Sequence, residues 1–278
     1  MLRDDALVRD IAACRLPPGA GAFWWLGQQS YVLKLGDAVV YLDPYLSPNP
    51  RRQTPPLLTP AQLAGAHLIV GSHDHSDHID RPLWPAMAAA APWATFVVSR
   101  PVAATLPAQL GLPAARVRGV ADGETIELAG VRLTGLAAAH ELRETDPATG
   151  ADRHMTFLLQ GNGLTVWFAG DTCIYEGLQT ALCRQRPDLM LLPINGRDAK
   201  RFRRGCIGNM TYQEAVDLAG AVAPALVVPG HWDMFAGNTE DPQLFADYLA
   251  AKYPRVPGHI PVPGDRVVVR ARAAAPGA

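Results

Sequence analysis

The apolar positions of this chain fall into short, β-rich runs separated by turn signals. Two such runs open its body, AFWWLGQQSYVLKL and AVVYLDPYL, with Gly36-Asp37 between them as a hairpin turn. HLIVG and TFVVS follow, short and apolar as buried strands are. VAATLPAQLG reads as a helix, with Pro107 near a boundary or kink. Past residue 116, ETIEL and VRLTGL flank Ala129-Gly130, and MTFLLQ and LTVWFAG flank Gly161-Asn162-Gly163, which predicts two further hairpins. The second half alternates more regularly. A helix over IYEGLQTALCRQ precedes the strand DLMLLPI, and a helix over TYQEAVDLAGAV opens with Thr211 and Glu214 in capping-box spacing. The strand ALVVPG comes next, then the helix DPQLFADYLAAKY with Asp241 as N-cap and Pro242 in its first position. The polar stretches 47–60 and 141–153 are long enough to carry function, and the tail RAAAPGA is expected to fray.

Composition narrows the class. With 49% hydrophobic and 18% charged residues, the chain is neither disordered nor a charge-rich coiled coil. A net charge of −1 gives no global attraction to nucleic acid or anionic membrane, so neither is expected as a partner. The longest apolar candidate, PAMAAAAPWATFVV, is broken by Pro92 and falls short of the roughly 18 residues of a membrane span. The stretch MLRDDALVRDIAACRLPPG mixes acids with bases and has no apolar centre, so it does not read as a signal peptide, and a cytoplasmic protein is expected. Cys14, Cys173, Cys183 and Cys206 show no C-x-x-C spacing and are read as reduced thiols.

The chemistry is concentrated in HLIVGSHDHSDHID, where three of the eight histidines, His73, His75 and His78, fall within six residues. His73 and His75, two residues apart on one turning segment, can each aim a nitrogen at a common point. Asp77 and His78 reach a neighbouring point. Imidazole and carboxylate together suit zinc, manganese and iron, and so many titratable groups at a strand end need a cation to compensate their burial. Three further donors end apolar β-type runs and so belong at the same kind of rim: His140 after VRLTGLAAA, Asp171 after LTVWFAG, and His231 after ALVVPG. Asp74 lies between ligands and is assigned either a capping role or one behind the ligands. His67, His154 and His259 lack this context and are not expected to bind metal.

H-x-H-x-D-H, a later lone His, G-D-T and a final G-H resemble the signature of the metallo-β-lactamase superfamily. The resemblance spans about Trp24 to Asp265. It implies an α/β fold, a four-layer αββα sandwich with a dinuclear metal site along one edge of its two sheets. It implies one domain over 1–278, with a core at about 22–270 and flexible ends. By position it places His73, His75 and His140 on one metal, Asp77, His78 and His231 on the other, and Asp171 between them. The lactamases that named the superfamily commonly carry cysteine where Asp171 stands, and aspartate there points to lactonase, phosphodiesterase and related branches. WWLGQQSYVLKLGDAVVYLDPYLS, SHDHSDHID, PINGRD and VVPGHWDMFAGNTEDP are together similar to the L-ascorbate-6-phosphate lactonase-like group, which is associated with manganese or zinc and with phosphorylated or lactone substrates.

The expected protein is therefore a hydrolase with two divalent ions, Mn or Zn, with Fe also suited to these donors. It uses a metal-bridged hydroxide to open a small lactone or cleave a phosphoester. Asp77 and Asp171 are the expected catalytic carboxylates, Asp77 as proton acceptor. Asp43 and Asp233 are expected behind the ligands, orienting imidazoles. The basic stretch NGRDAKRFRRG is expected to clamp an anionic small molecule, led by Arg197 with Asn195. Tyr45, Trp232, Met234 and Phe235 are candidate pocket walls, and a homo-oligomer is compatible with all of this. Two alternatives use the same scaffold. A mononuclear iron dioxygenase would not need Asp77, His78 and His231. An RNA nuclease or phosphodiesterase would need a basic arm that the sequence does not display.

Overall fold

The computed structural model describes residues 1–272. Of the tail RAAAPGA, expected to fray, residues 273–278 lie outside the described residues, whereas Arg272 is held by Asp188 Oδ1 and the Pro187 carbonyl. In chain order the elements begin with α1 (Asp4–Ala13), β1 (Ala20–Gly27), β2 (Ser30–Leu35), β3 (Ala38–Leu42), β4 (Leu68–Val70), α2 (Trp84–Ala90), β5 (Thr95–Ser99), α3 (Arg100–Leu110) and β6 (Val117–Val120). They continue with β7 (Thr125–Leu128), β8 (Val131–Ala137), β9 (Met155–Gly161), β10 (Leu164–Phe168), α4 (Leu178–Gln185) and β11 (Leu189–Pro193). α5 (Ala199–Phe202), α6 (Tyr212–Val222), β12 (Leu226–Gly230), α7 (Pro242–Lys252) and β13 (Arg266–Arg270) complete the set.

Two sheets form, one of seven strands in the order β13-β1-β2-β3-β4-β5-β6 and one of six in the order β12-β11-β10-β9-β8-β7. Alternate residues of each strand enter different cores, because successive side chains of a strand point to opposite faces. Phe23, Trp25 and Val97 meet Phe157, Phe168 and Leu191 between the sheets. Trp24 and Phe96 face outward under Leu7 and Ile11 of α1, Met87 of α2 and Leu106 of α3. Leu158, Trp167 and Met190 face the other way, under Leu182 of α4, Val216 of α6 and Phe245 of α7. The result is the four-layer αββα sandwich. Strands covered on both faces have no polar side, which is why they read as unbroken apolar runs.

Strand direction assembles the rim. β3 to β6 run parallel, as do β10 to β12, while β1 and β8 reach the same polarity through two antiparallel steps. The carboxyl ends of β1, β3, β4, β8, β10, β11 and β12 therefore share one edge, and every expected metal ligand follows one of them.

Several expectations are corrected. AFWWLGQQSYVLKL is two strands joined by a turn, with Gly27 at φ 96° and Gln28 at φ 53°. That turn is buried, with Gln28 1% and Gln29 0% exposed. The N-terminal segment, expected outside the core, forms α1, whose Leu7 and Ile11 are buried four residues apart and whose Ile11 carbonyl accepts from Lys34 Nζ at 2.8 Å. The helix expected from Ile174 begins only at Leu178, after Gly177 at φ 92°. Pro107 lies in the last turn of α3, which Gly111 ends in the left-handed conformation.

Candidate metal centre

The loop after β4 turns back sharply, with the His75 carbonyl accepting from the backbone N–H groups of His78 and Ile79. This turn aims His73, His75, Asp77 and His78 into the gap between the sheets. His73 Nε2 lies 2.9 Å from His75 Nδ1, which lies 3.3 Å from His140 Nε2. The other nitrogen of His140, Nδ1, faces the Gly208 carbonyl at 3.0 Å. A proton there leaves Nε2 as a lone pair, so this triad turns lone pairs on one another and needs a cation among them.

A second group stands beside it. His78 Nε2 is 3.6 Å from Asp77 Oδ2, and His231 Nε2 is 3.7 Å from the same oxygen. Asp171 Oδ2 lies 3.1 Å from His231, 3.4 Å from His78 and 3.6 Å from His140, so it stands between the two groups. Donors sharing a tetrahedral ion at bond lengths of roughly 2.0–2.2 Å are about 3.3 Å apart, and these separations match. His78 Nε2 and Asp171 Oδ1 are buried with no hydrogen-bond partner, which a cation would supply. The residues fit bound metal.

The supporting residues are as specific as the donors. Asp43, fully buried, takes His78 Nδ1 at 2.5 Å and accepts from Ser72 N at 2.7 Å and Ser72 Oγ at 2.6 Å. The Asp43 carboxylate thus lies directly against the His78 imidazole. Asp233 differs from expectation: its carboxylate accepts from Gln28 N at 2.8 Å and Thr54 Oγ1 at 3.2 Å and touches no imidazole. It acts through Gln28, whose Nε2 donates to Asp77 Oδ2 at 2.8 Å and lies 3.1 Å from His231 Nε2. Asp74 pairs with Arg81 instead of facing the donors. Gln28, Asp43, Glu141 and His231 all hold positive φ, so strained backbone gathers at this rim. Glycine supplies close approach: a Cβ on Gly170 would stand 2.6 Å from Ser72 Cβ, and one on Gly230 would run into Gln29 Oε1.

Electrostatics divide the site. Burial holds His73 well below the ordinary histidine range and His140 down to about 4, and lowers His75 as well, so these rings are neutral donors at pH 7. Burial opposes charge on His78 and His231 too, but Asp171 and Asp77 outweigh it and raise both. The same pairs hold Asp171 well below, and Asp77 below, the ordinary carboxylate range despite their burial.

A cavity of about 840 Å³ opens over these residues, with His75, Asp77, His140, Asp171 and His231 on its floor. Neither Asn195 nor Arg197 lines it. Asn195 is fully buried, linking Asn209 to Asn238, and only Asn238 reaches the wall. Arg197 makes a two-pronged pair with Glu214, both contacts at 2.7 Å, and a bond to the Asn209 carbonyl. The clamp expected of it is already occupied. Phe235 lines the cavity, whereas Met234 is buried and Trp232 stacks on Trp25 at 4.9 Å. Two further residues stand at the site. Gln28 was hidden within an apolar run, although paired glutamines there hint at a turn. His154, buried with its ring 5.3 Å from that of His73, precedes β9; because β9 runs antiparallel to its neighbours, its start reaches the rim where their ends do.

A family model described as beta-lactamase superfamily domain matches residues 38–232. The chain belongs to the metallo-β-lactamase superfamily. Among relatives of this superfamily protein, a UPF0173 metal-dependent hydrolase of Sulfurisphaera tokodaii is 29% identical over 224 residues, covering 78% of this chain and 88% of the relative. Among solved structures, Igni18, a metallo hydrolase of Ignicoccus hospitalis, superposes with TM-score 0.72 at 20% identity, covering 91% of this chain and 100% of its own. CmlA, a diiron β-hydroxylase of Streptomyces venezuelae, superposes with TM-score 0.67 at 15% identity, covering 91% of this chain and 54% of its own. These structural likenesses establish the fold alone.

Proposed function

We propose that this protein is a hydrolase that works with two divalent metal ions, His73, His75 and His140 holding one, Asp77, His78 and His231 the other, and Asp171 standing between. The observation that carries this reading is the pair of donor groups joined at Asp171 Oδ2, within 3.1–3.6 Å of His231, His78 and His140. Metals held there supply Lewis acidity and ease deprotonation of a water at neutral pH. The chain supplies the rest. Asp77 lies on the cavity wall, 20% exposed, with Gln28 Nε2 holding Oδ2, and accepts the proton of the attacking water. Asp43 keeps the His78 proton on Nδ1, and the Gly208 carbonyl does the same for His140, which leaves both Nε2 lone pairs inward.

The bond cleaved is assigned to a small lactone or a phosphoester. The sequence resemblance to the L-ascorbate-6-phosphate lactonase-like group supports this, and so does the cavity, sized for a small molecule. The test is metal content on gently purified protein, paired with hydrolysis of bis-p-nitrophenyl phosphate and of a simple lactone. About two ions of Mn or Zn per chain, with turnover restored by metal, is the expected result. One iron per chain with no hydrolysis of either would overturn it and bring the dioxygenase reading forward.

A further inference from the structure

Of the five basic residues in NGRDAKRFRRG, two are already paired with carboxylates and one stands over the cavity. Arg197 is neutralised by Glu214. Arg201 is held by Asp198 and Glu240 and donates to the Thr239 carbonyl, which fastens this loop to the segment after β12. Arg204 alone of the five lines the cavity, and among the described residues it meets no carboxylate. It lies against Gly237, where any Cβ would run into Nη1, so the glycine leaves room for the guanidinium.

The 47–60 loop supplies a counterpart. Arg52 acts as a brace, its Nε and Nη1 donating to the carbonyls of Thr54, Tyr45 and Ser47 with its guanidinium 4.8 Å from the Tyr45 ring centre. Its backbone also pairs with Phe235. The brace fixes the adjacent Arg51, whose backbone N–H bonds Asn49 Oδ1 and whose exposed side chain joins the cavity wall with no carboxylate beside it. The only carboxylates on that wall, among the described residues, are Asp77 and Asp171, both committed to the metal centre. Arg51 and Arg204, whose guanidinium groups make no hydrogen bond or ion pair among the described residues, thus overlook from separate loops one cavity whose acids are all used at the floor.

We infer that Arg51 and Arg204 form an anion subsite at the cavity mouth, which holds a phosphate or carboxylate of the substrate remote from the bond cleaved. The inference rests on the hydrolase reading above and adds the substrate class: a small lactone or ester that carries a second, anionic group. The floor takes the reacting end and the arginines take the other.

The test uses the metal-loaded full chain and a pair of lactone-opening products, 6-phosphogluconate and gluconate, whose binding is measured by calorimetry. Wild-type protein should bind 6-phosphogluconate at least tenfold more tightly than gluconate. Arg204→Gln and Arg51→Gln should each bring that ratio below threefold, whereas Lys200→Gln, off the cavity wall, should leave it unchanged. Equal binding of the two compounds by wild type, or a ratio that survives both arginine variants, overturns the subsite, and an equal loss in Lys200→Gln replaces it with a diffuse surface charge. Metal content and hydrolysis of a neutral lactone are measured alongside. If they persist while the ratio fails, the subsite alone is wrong; if wild type holds no metal and hydrolyses nothing, the hydrolase reading has failed.

Discussion

Under the two-ion reading proposed above, replacing Asp43 by asparagine removes no ligand, yet it should weaken one metal site selectively. Asp43 Oδ2 receives both His78 Nδ1, at 2.5 Å, and Ser72 Oγ, at 2.6 Å, while Oδ1 receives Ser72 N at 2.7 Å. In Asp43→Asn the amide oxygen stays on Ser72 N, and an NH₂ group then faces His78 Nδ1 and Ser72 Oγ. His78 answers by moving its proton to Nε2, where it occupies the lone pair meant for the ion. The lost bond is charge-assisted and buried, a class worth about 1.5–3 kcal/mol. Loss of such a partner typically costs 10–100-fold in metal affinity, or about 1.4–2.7 kcal/mol. Competition against a chromophoric chelator, resolving two binding steps, measures it: the step assigned to Asp77, His78 and His231 should weaken by that factor, and the His73–His75–His140 step should move less than threefold. Both steps within twofold of wild type would show that Asp43 does not set the His78 tautomer. Weakening of the other step alone would show that the donors have been grouped wrongly.

Other outcomes follow from the same geometry. Gln28→Leu leaves Asp77 Oδ2 without its 2.8 Å donor and should lower kcat roughly tenfold with KM little changed, the pattern of a lost positioning contact worth about 1.4 kcal/mol to the transition state. In metal-free protein, His140 is held at about 4 when folded but takes a proton near 6.5 when unfolded. Its contribution is therefore complete above pH 6.5 and lost as the pH falls toward 4; urea melts should find His140→Asn, relative to wild type, spared about 3 kcal/mol of acid destabilisation. Leu7→Ala should cost about 2–5 kcal/mol in the same melts, because its fully buried side chain anchors α1 to the first sheet; a loss below about 1 kcal/mol would mean that α1 is dispensable.

The amino-acid sequence by itself determined the local facts. Apolar runs bounded by Gly, Asn and Asp specified most strands and three hairpins, since strand pairing in a meander needs only neighbouring segments and a turn. Thr211 with Glu214, and Asp241 with Pro242, announced two helix starts that side-chain caps then supplied. Donor residues at the ends of apolar runs were legible for the same reason: a strand must stop at a rim, and parallel strands stop at the same one.

What only the tertiary structure decided depends on contacts between distant parts of the chain. Gln28 and Asp233 meet across 205 positions, and no local pattern shows that a turn of glutamines will be buried beneath a metal centre. Arg197 and Arg204 belong to one basic stretch in which the sequence puts Arg197 first. Glu214 neutralises the first, and Gly237 makes space for the second over the cavity. A side chain's type sets what chemistry it can perform, but its charge partner sets whether it is free to do so. That partner is chosen by the packing of two sheets against each other.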